Sequence, residues 1–173
     1  MFTQASLSVV CILLITASAG GQTVWYVDDD DCPGPGKGTE ADPFCKIQHG
    51  IDAAVDGDEV VVADGTYTGF GNRNLSFLGK AITLRSAHGA ATTTIDCEHM
   101  DRGFHFHNSE TPDSILDGFR IINGYSEGHG EAAGIYFDYS SPTVRNCDIR
   151  YNSLNGIQWH HSNATVSNCI IAE

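Results

Sequence analysis

Seven polar side chains in this 173-residue chain have types and spacing that suit chemistry: Arg85, His105, His107, Tyr136, Asp138, Gln158 and His160. Most sit in the short alternating segments "FHFH", "IYFD" and "IQWH". In an extended segment successive side chains point to opposite faces, so if Phe104 and Phe106 turn inward, His105 and His107 turn outward. His107, Asp138 and His160 follow one another at intervals of 31 and 22 residues, and His105, Tyr136 and Gln158 keep the same intervals. If the segments stack, each triplet becomes an exposed row. Counting back by 22 adds Arg85 and Ala63 to the first row, and Thr83 and Val61 to the second. Imidazole and carboxylate side by side could coordinate a transition metal. Tyr, Gln, His and Asp together also suit hydroxyl recognition in a sugar groove, and the adopted reading is ligand binding without a metal. Arg85 with His107 or Tyr136 could in principle neutralise a uronate carboxylate and abstract its α-proton, the step a polysaccharide lyase needs.

The elements that must position these residues are written as a repeat. "TVRNCDIRYN" from Thr143 and "TVSNCIIAE" from Thr165 are the same phrase 22 residues apart, and Gly134-Ile135 falls over Gly156-Ile157 at the same interval. A fixed period of this length signals a stacked repeat. The spacing predicts one inward column through Val60, Ile82, Phe104, Ile135 and Ile157, with the longer step absorbed by the insertion "GYSEGHGEAAG". A second column is expected through Cys97, Phe119, Cys147 and Cys169. One amphipathic strand cannot bury its inner face alone, but rings of about 22 residues stacked at about 4.8 Å can. The expected fold is therefore all-β, a right-handed parallel β-helix with coils of about 22 residues. Cys147 and Cys169 read as core thiols one coil apart, their Cβ atoms farther apart than a relaxed disulfide prefers. Asn146 and Asn168 read as bend residues whose amides bond along the axis.

The N-terminal part has a different character. Leu7 to Ile15 is an apolar run too short to span a bilayer, and Ala17-Ser18-Ala19 follows it as a cleavage pattern. Residues 1–19 are read as a signal peptide, 23–173 as the β-helix domain, and the location as secreted or cell-surface, with no membrane span once the leader is removed. The net charge of −13 argues against nucleic acid and anionic membrane as partners. It also opposes acidic polysaccharide unless a divalent cation intervenes. Ca2+ is thus the one cofactor to consider, although the Asp28–Asp31 run matches no calcium-loop spacing. Cys32 and Cys45 flank a Pro/Gly-rich segment and are the disulfide candidate. A short capping helix is expected from Asp42 as N-cap, through Pro43, to Gly57.

"KIQHGIDAAVDGDEVVVADGTYTG" and "SPTVRNCDIRYN" resemble the first segment and the coil repeat of right-handed parallel β-helix proteins of the pectin-lyase-like superfamily. The resemblance covers roughly Tyr26 to Glu173 and implies the fold, with a helix capping the barrel. It does not choose an activity, because such helices host lyases, hydrolases and adhesins. It makes extracellular polysaccharide the favoured partner, with a pectate-lyase-like enzyme and a non-catalytic adhesive array as alternatives. Gly128-His129-Gly130 echoes a polygalacturonase motif but lacks its companion aspartates and reads as loop composition. The last coil carries no capping element, so the expected partner at that end is the rest of a longer β-helix or a second copy.

Overall fold

The computed structural model describes residues 21–30, 34–126 and 133–172. The leader, Asp31, Cys32 and the Gly128–Gly130 motif lie outside the described residues. In chain order the elements are β1 (Val24–Val27), α1 (Ile47–Ala53), β2 (Glu59–Val62), β3 (Gly65–Tyr67), β4 (Thr83–Ser86), β5 (Thr93–Asp96) and β6 (Phe104–Phe106). They continue with β7 (Ile115–Asp117), β8 (Arg120–Ile122), β9 (Ile135–Asp138), β10 (Thr143–Arg145), β11 (Asp148–Arg150), β12 (Ile157–His160), β13 (Thr165–Ser167) and β14 (Ile170–Ile171). The strands are short because each alternating run of β-branched and aromatic residues ends after two to four positions at a bend. Left-handed Gly118, Asn123, Asn146 and Asn168 supply several of those bends.

Every pairing between described strands is parallel. The strands fall into three sheets, ordered β1-β2-β4-β7-β10-β13, β3-β5-β8-β11-β14 and β6-β9-β12. A coil visits the three in turn, as β7, β8 and β9 do before β10 begins the next circuit. The fold is thus an all-β parallel helix, as the repeat implied, with one short α-helix among the described residues. Inward columns run through Val60, Leu84, Leu116 and Val144 in the first sheet, and through Tyr67, Ile95, Ile121 and Ile149 in the second. Phe104, Ile135 and Ile157 form the third. Most of these side chains are completely buried. The third sheet adds an aromatic stack, Phe77 on Phe106 at 5.0 Å and Phe106 on Phe137 at 5.6 Å between ring centroids.

The parity of burial follows the sequence reading, but the columns do so only in their later coils, where Phe104, Ile135 and Ile157 stack as expected. Val60 pairs with Leu84 rather than Ile82, and both strands lie in a different sheet from Phe104. The steps in the first sheet are 24, 32, 28 and 22 residues from Val60 through Leu84, Leu116 and Val144 to Val166. The 22-residue period holds for the last step alone. Extending it backward landed on residues of the right parity in the wrong sheet, because a two-residue slip leaves a side chain facing the same way. Cys97 leaves its expected column for the same reason. Thr94 pairs with Arg120, which sets Thr93 beside Phe119. Phe119, Cys147 and Cys169 do stack, since Arg120, Asp148 and Ile170 are partners. Cys147 and Cys169 are free thiols. Their mutual hydrogen bond, together with burial, pushes the Cys147 thiol up. Asn168 donates to Asn146 at 2.5 Å and Asn146 donates to Asp117 at 2.7 Å, an amide ladder along the axis. Cys45 is disulfide-bonded; its expected partner Cys32 lies outside the described residues.

The capping helix is shorter than the sequence suggested. Asp42 does not cap it: its backbone bonds Thr39, and Phe44 pairs with Val27. Asn72, fully buried, accepts the Ile47 N–H at 2.9 Å and so caps α1 from a distant loop. Asp58 then ties α1 and β1 to the first coil, accepting from Thr23 N at 2.9 Å, Trp25 Nε1 at 3.0 Å and Val55 N at 3.0 Å. Burial opposes its ionisation, but the Val55 and Thr23 N–H groups and the Trp25 indole outweigh that and hold the carboxyl below the ordinary range. A depressed carboxyl contributes stability that is fully present above the unfolded value of about 3.9 and is lost as pH falls through the folded value. Asp58→Asn is therefore expected to melt at lower temperature than wild type at pH 6, with the gap narrowing below about pH 4. A gap independent of pH in thermal denaturation would contradict this role.

Candidate functional site

The alternation that buries Phe104 and Phe106 presents the opposite parity of β6, β9 and β12 on the outside of the third sheet. Register places His105 beside Tyr136 and Tyr136 beside Gln158. Asp138 pairs with His160, and His107, one residue past Phe106, continues that second row. Six of the seven expected site residues therefore share one face.

Arg85 is the exception. It lies on β4, in the first sheet, where its guanidinium binds Glu59 at 2.5 Å. Val61 and Thr83 belong to that sheet as well. The combination of Arg85 with His107 or Tyr136 that the lyase step needed is not assembled.

Contacts on the face divide it into two clusters. In the first, Arg102 stands over the Tyr136 ring at 5.3 Å, Tyr136 stacks on His105 at 5.2 Å, and His105 stacks on His107 at 4.1 Å. Tyr136 is 8% exposed although it faces outward, so the stack is a firm wall rather than a loose surface. His107 Nδ1 lies 3.1 Å from the His105 carbonyl oxygen. A carbonyl only accepts, so Nδ1 carries the proton and Nε2 of the neutral ring is the acceptor nitrogen.

In the second cluster His160 Nδ1 lies 2.7 Å from Asp138 Oδ1. The carboxylate orients the imidazole and again leaves Nε2 as the acceptor. His161 meets His160 edge-on at 4.4 Å and stacks on Tyr139 at 4.8 Å. Tyr139 and His161 both have left-handed backbone, φ 49° and 47°, at equivalent bends after β9 and β12. That conformation costs a non-glycine residue about 1–2 kcal/mol, and here it throws two rings outward in register. The face can stack on apolar ring surfaces and exchange hydrogen bonds with hydroxyls.

Among the described residues no group of three or more His, Cys, Asp or Glu side chains is arranged to hold a metal ion. In the acidic run, Asp28 Oδ1 accepts the Asp30 N–H at 3.0 Å, closing a local turn. Sequence reasoning missed Arg102, Tyr139 and His161. The last two were within reach, since they stand 22 residues apart like the phrase beside them. Arg102 carried no signal, because its parity counted from Phe104 assigns it to the interior.

A family model for the right handed beta helix region matches residues 46–173. No curated protein and no solved structure matches the chain. Among the described residues no helix is long and apolar enough to cross a membrane.

The Asp138–His160 pair is half-exposed, and such pairs contribute about 0–1 kcal/mol. Asp138→Ala should therefore leave the melting transition within about 1 kcal/mol of wild type. Tyr136→Ala, which removes the buried middle of the first stack, should cost about 3–5 kcal/mol. Denaturant melts of the two variants check the contrast, and equal losses would mean that the outward register is misassigned.

Proposed function

The chain belongs to the right-handed β-helix family, and within that fold we propose that it binds an extracellular polysaccharide along the outward face of β6, β9 and β12. The observation that carries this reading is a pair of adjacent aromatic–imidazole clusters, one joining β6 to β9 through Tyr136 and the other joining β9 to β12 through Tyr139. Their ring nitrogens are oriented by a carbonyl and by a carboxylate. Ring planes take the apolar faces of sugars, and fixed donors and acceptors take their hydroxyls. Coils repeat at about 4.8 Å, so a polymer lying along the axis meets a polar or ring side chain at each step. The apolar run and cleavage pattern of residues 1–19 support a location outside the cell.

A lyase reading is weaker because Arg85, the cation it relied on, is committed to Glu59 on another sheet. The geometry therefore favours recognition over bond cleavage. A glycan array probed with the full chain tests the proposal. Binding to at least one polysaccharide class is expected, falling tenfold or more in a Tyr139→Ala/His160→Ala double variant with an unchanged melting temperature. Absence of binding across the panel would leave a structural array as the function. New ultraviolet absorbance from a uronate polymer incubated with Ca2+ would establish the lyase instead.

A further inference from the structure

The face does not stop at β6. Leu75 forms a parallel bridge with Phe104, which carries the third sheet one coil further toward α1. By that register Ser76 continues the row of His105, Tyr136 and Gln158, and Leu78 continues the row of His107, Asp138 and His160. Gln48 of α1 is clamped to this extension, accepting the Ser76 N–H at 3.1 Å and donating to the Ser76 carbonyl at 3.0 Å. Between α1 and the loops at Phe70 and Met100 lies a groove of about 520 Å3.

Three large apolar side chains border this groove and are left in solvent: Phe70 is 93% exposed, Met100 67% and Leu78 51%. Clustered apolar exposure of this kind marks a surface that something covers. The polar lining indicates what. Asp52 and Asp101 bring negative charge. The cation beside them, Arg73, is ion-paired with Glu98, whose carboxylate also accepts the Gly69 N–H at 2.9 Å. Taken together with the chain's charge of −13, the groove repels carboxylated sugars. Asn74 adds an amide that can face an amide or a hydroxyl.

We propose that this groove is the terminal subsite of the polysaccharide track and takes a neutral N-acetylated sugar residue. The sugar face lies on Phe70, the acetyl methyl lies against Leu78 and Met100, and the hydroxyls meet Asp52 and Asp101. The assignment rests on the polysaccharide reading above and narrows it to an uncharged, acyl-bearing polymer. A basic peptide would match the carboxylates equally well. Continuity with the two ring-lined rows selects the sugar.

The test is calorimetric titration of the full chain with N-acetylglucosamine oligomers of one to six units, cello-oligosaccharides and oligogalacturonates of the same lengths, and an oligolysine peptide. The N-acetylated oligomers should bind, with affinity rising over the first few units. Phe70→Ala and Met100→Ala should each weaken them tenfold or more at an unchanged melting temperature. Equal binding of cello-oligosaccharides would refute the acyl preference, and tighter binding of oligogalacturonate would refute the charge argument. Full affinity in Phe70→Ala, with loss in the Tyr139→Ala/His160→Ala variant, would remove the groove and keep the track. Oligolysine binding alone, or no binding of any saccharide, would overturn the polysaccharide reading itself.

Discussion

Parallel register between coils is the constraint on which the rest of this molecule depends. A three- or four-residue strand leaves its N–H and C=O groups unpaired unless another strand lies on it about 4.8 Å away, and among the described residues no strand has an antiparallel partner to turn back to. Each coil must therefore repeat the path of its neighbour at all three sheets, however many residues it uses between them. The bends absorb the difference, and their buried polar groups are satisfied across coils as well as within them. Glu110, only 2% exposed, shows how. Its carboxylate accepts from Gly79 N at 3.1 Å, Asn108 N at 2.9 Å and the Ser140 hydroxyl at 2.7 Å. A buried carboxyl is tolerated here because both of its oxygens meet donors; removing one donor would leave part of the desolvation penalty uncompensated. Asn152 does the same for Gly124 N, at 2.8 Å, and for the Ile121 carbonyl, at 3.1 Å.

What could be read from the sequence follows from where that constraint leaves a trace. Parity was legible within the strands, because alternation of apolar and polar residues is all a buried sheet face requires; Arg102, just outside β6, was not. The stacking of Cys147 on Cys169 and of Asn146 on Asn168 was legible because the final coil has no extra residues in its bends. Earlier coils do: Phe104 is 29 residues after Leu75, and Leu116 is 32 after Leu84. No local signal separates a long bend from a short coil, so Arg85 and Ile82 were placed on the right side of the wrong sheet. The cap of α1 was hidden for a related reason. Asp42 has the local chemistry of a helix cap, but Asn72 supplies the acceptor from 25 residues away.

The candidate site is a consequence of the same register. Once Phe104, Ile135 and Ile157 are aligned, the residues between them have no freedom to choose their neighbours. His105 must lie beside Tyr136, and Asp138 beside His160. The side chains then refine what the backbone imposes, through ring stacking and through carbonyl and carboxylate partners that fix imidazole orientation. On a chain this acidic, a face rich in imidazoles and rings, with Arg102 at its edge, is locally distinct in chemistry as well as shape. Its extension past Ser76 to Phe70 joins a hydrogen-bonding wall to an apolar end.

The proposed polymer site is one continuous face, from the α1 groove across β6, β9 and β12. Amide chemical-shift mapping by NMR, with the tightest saccharide found, tests it most directly. Perturbations are expected at Asn74 to Leu78, His105 to His107, Tyr136 to Tyr139 and Gln158 to His161, with the strands of the other two sheets unchanged. Perturbations centred on Arg85, Asp117 and Arg145, on the outward side of the first sheet, would contradict it.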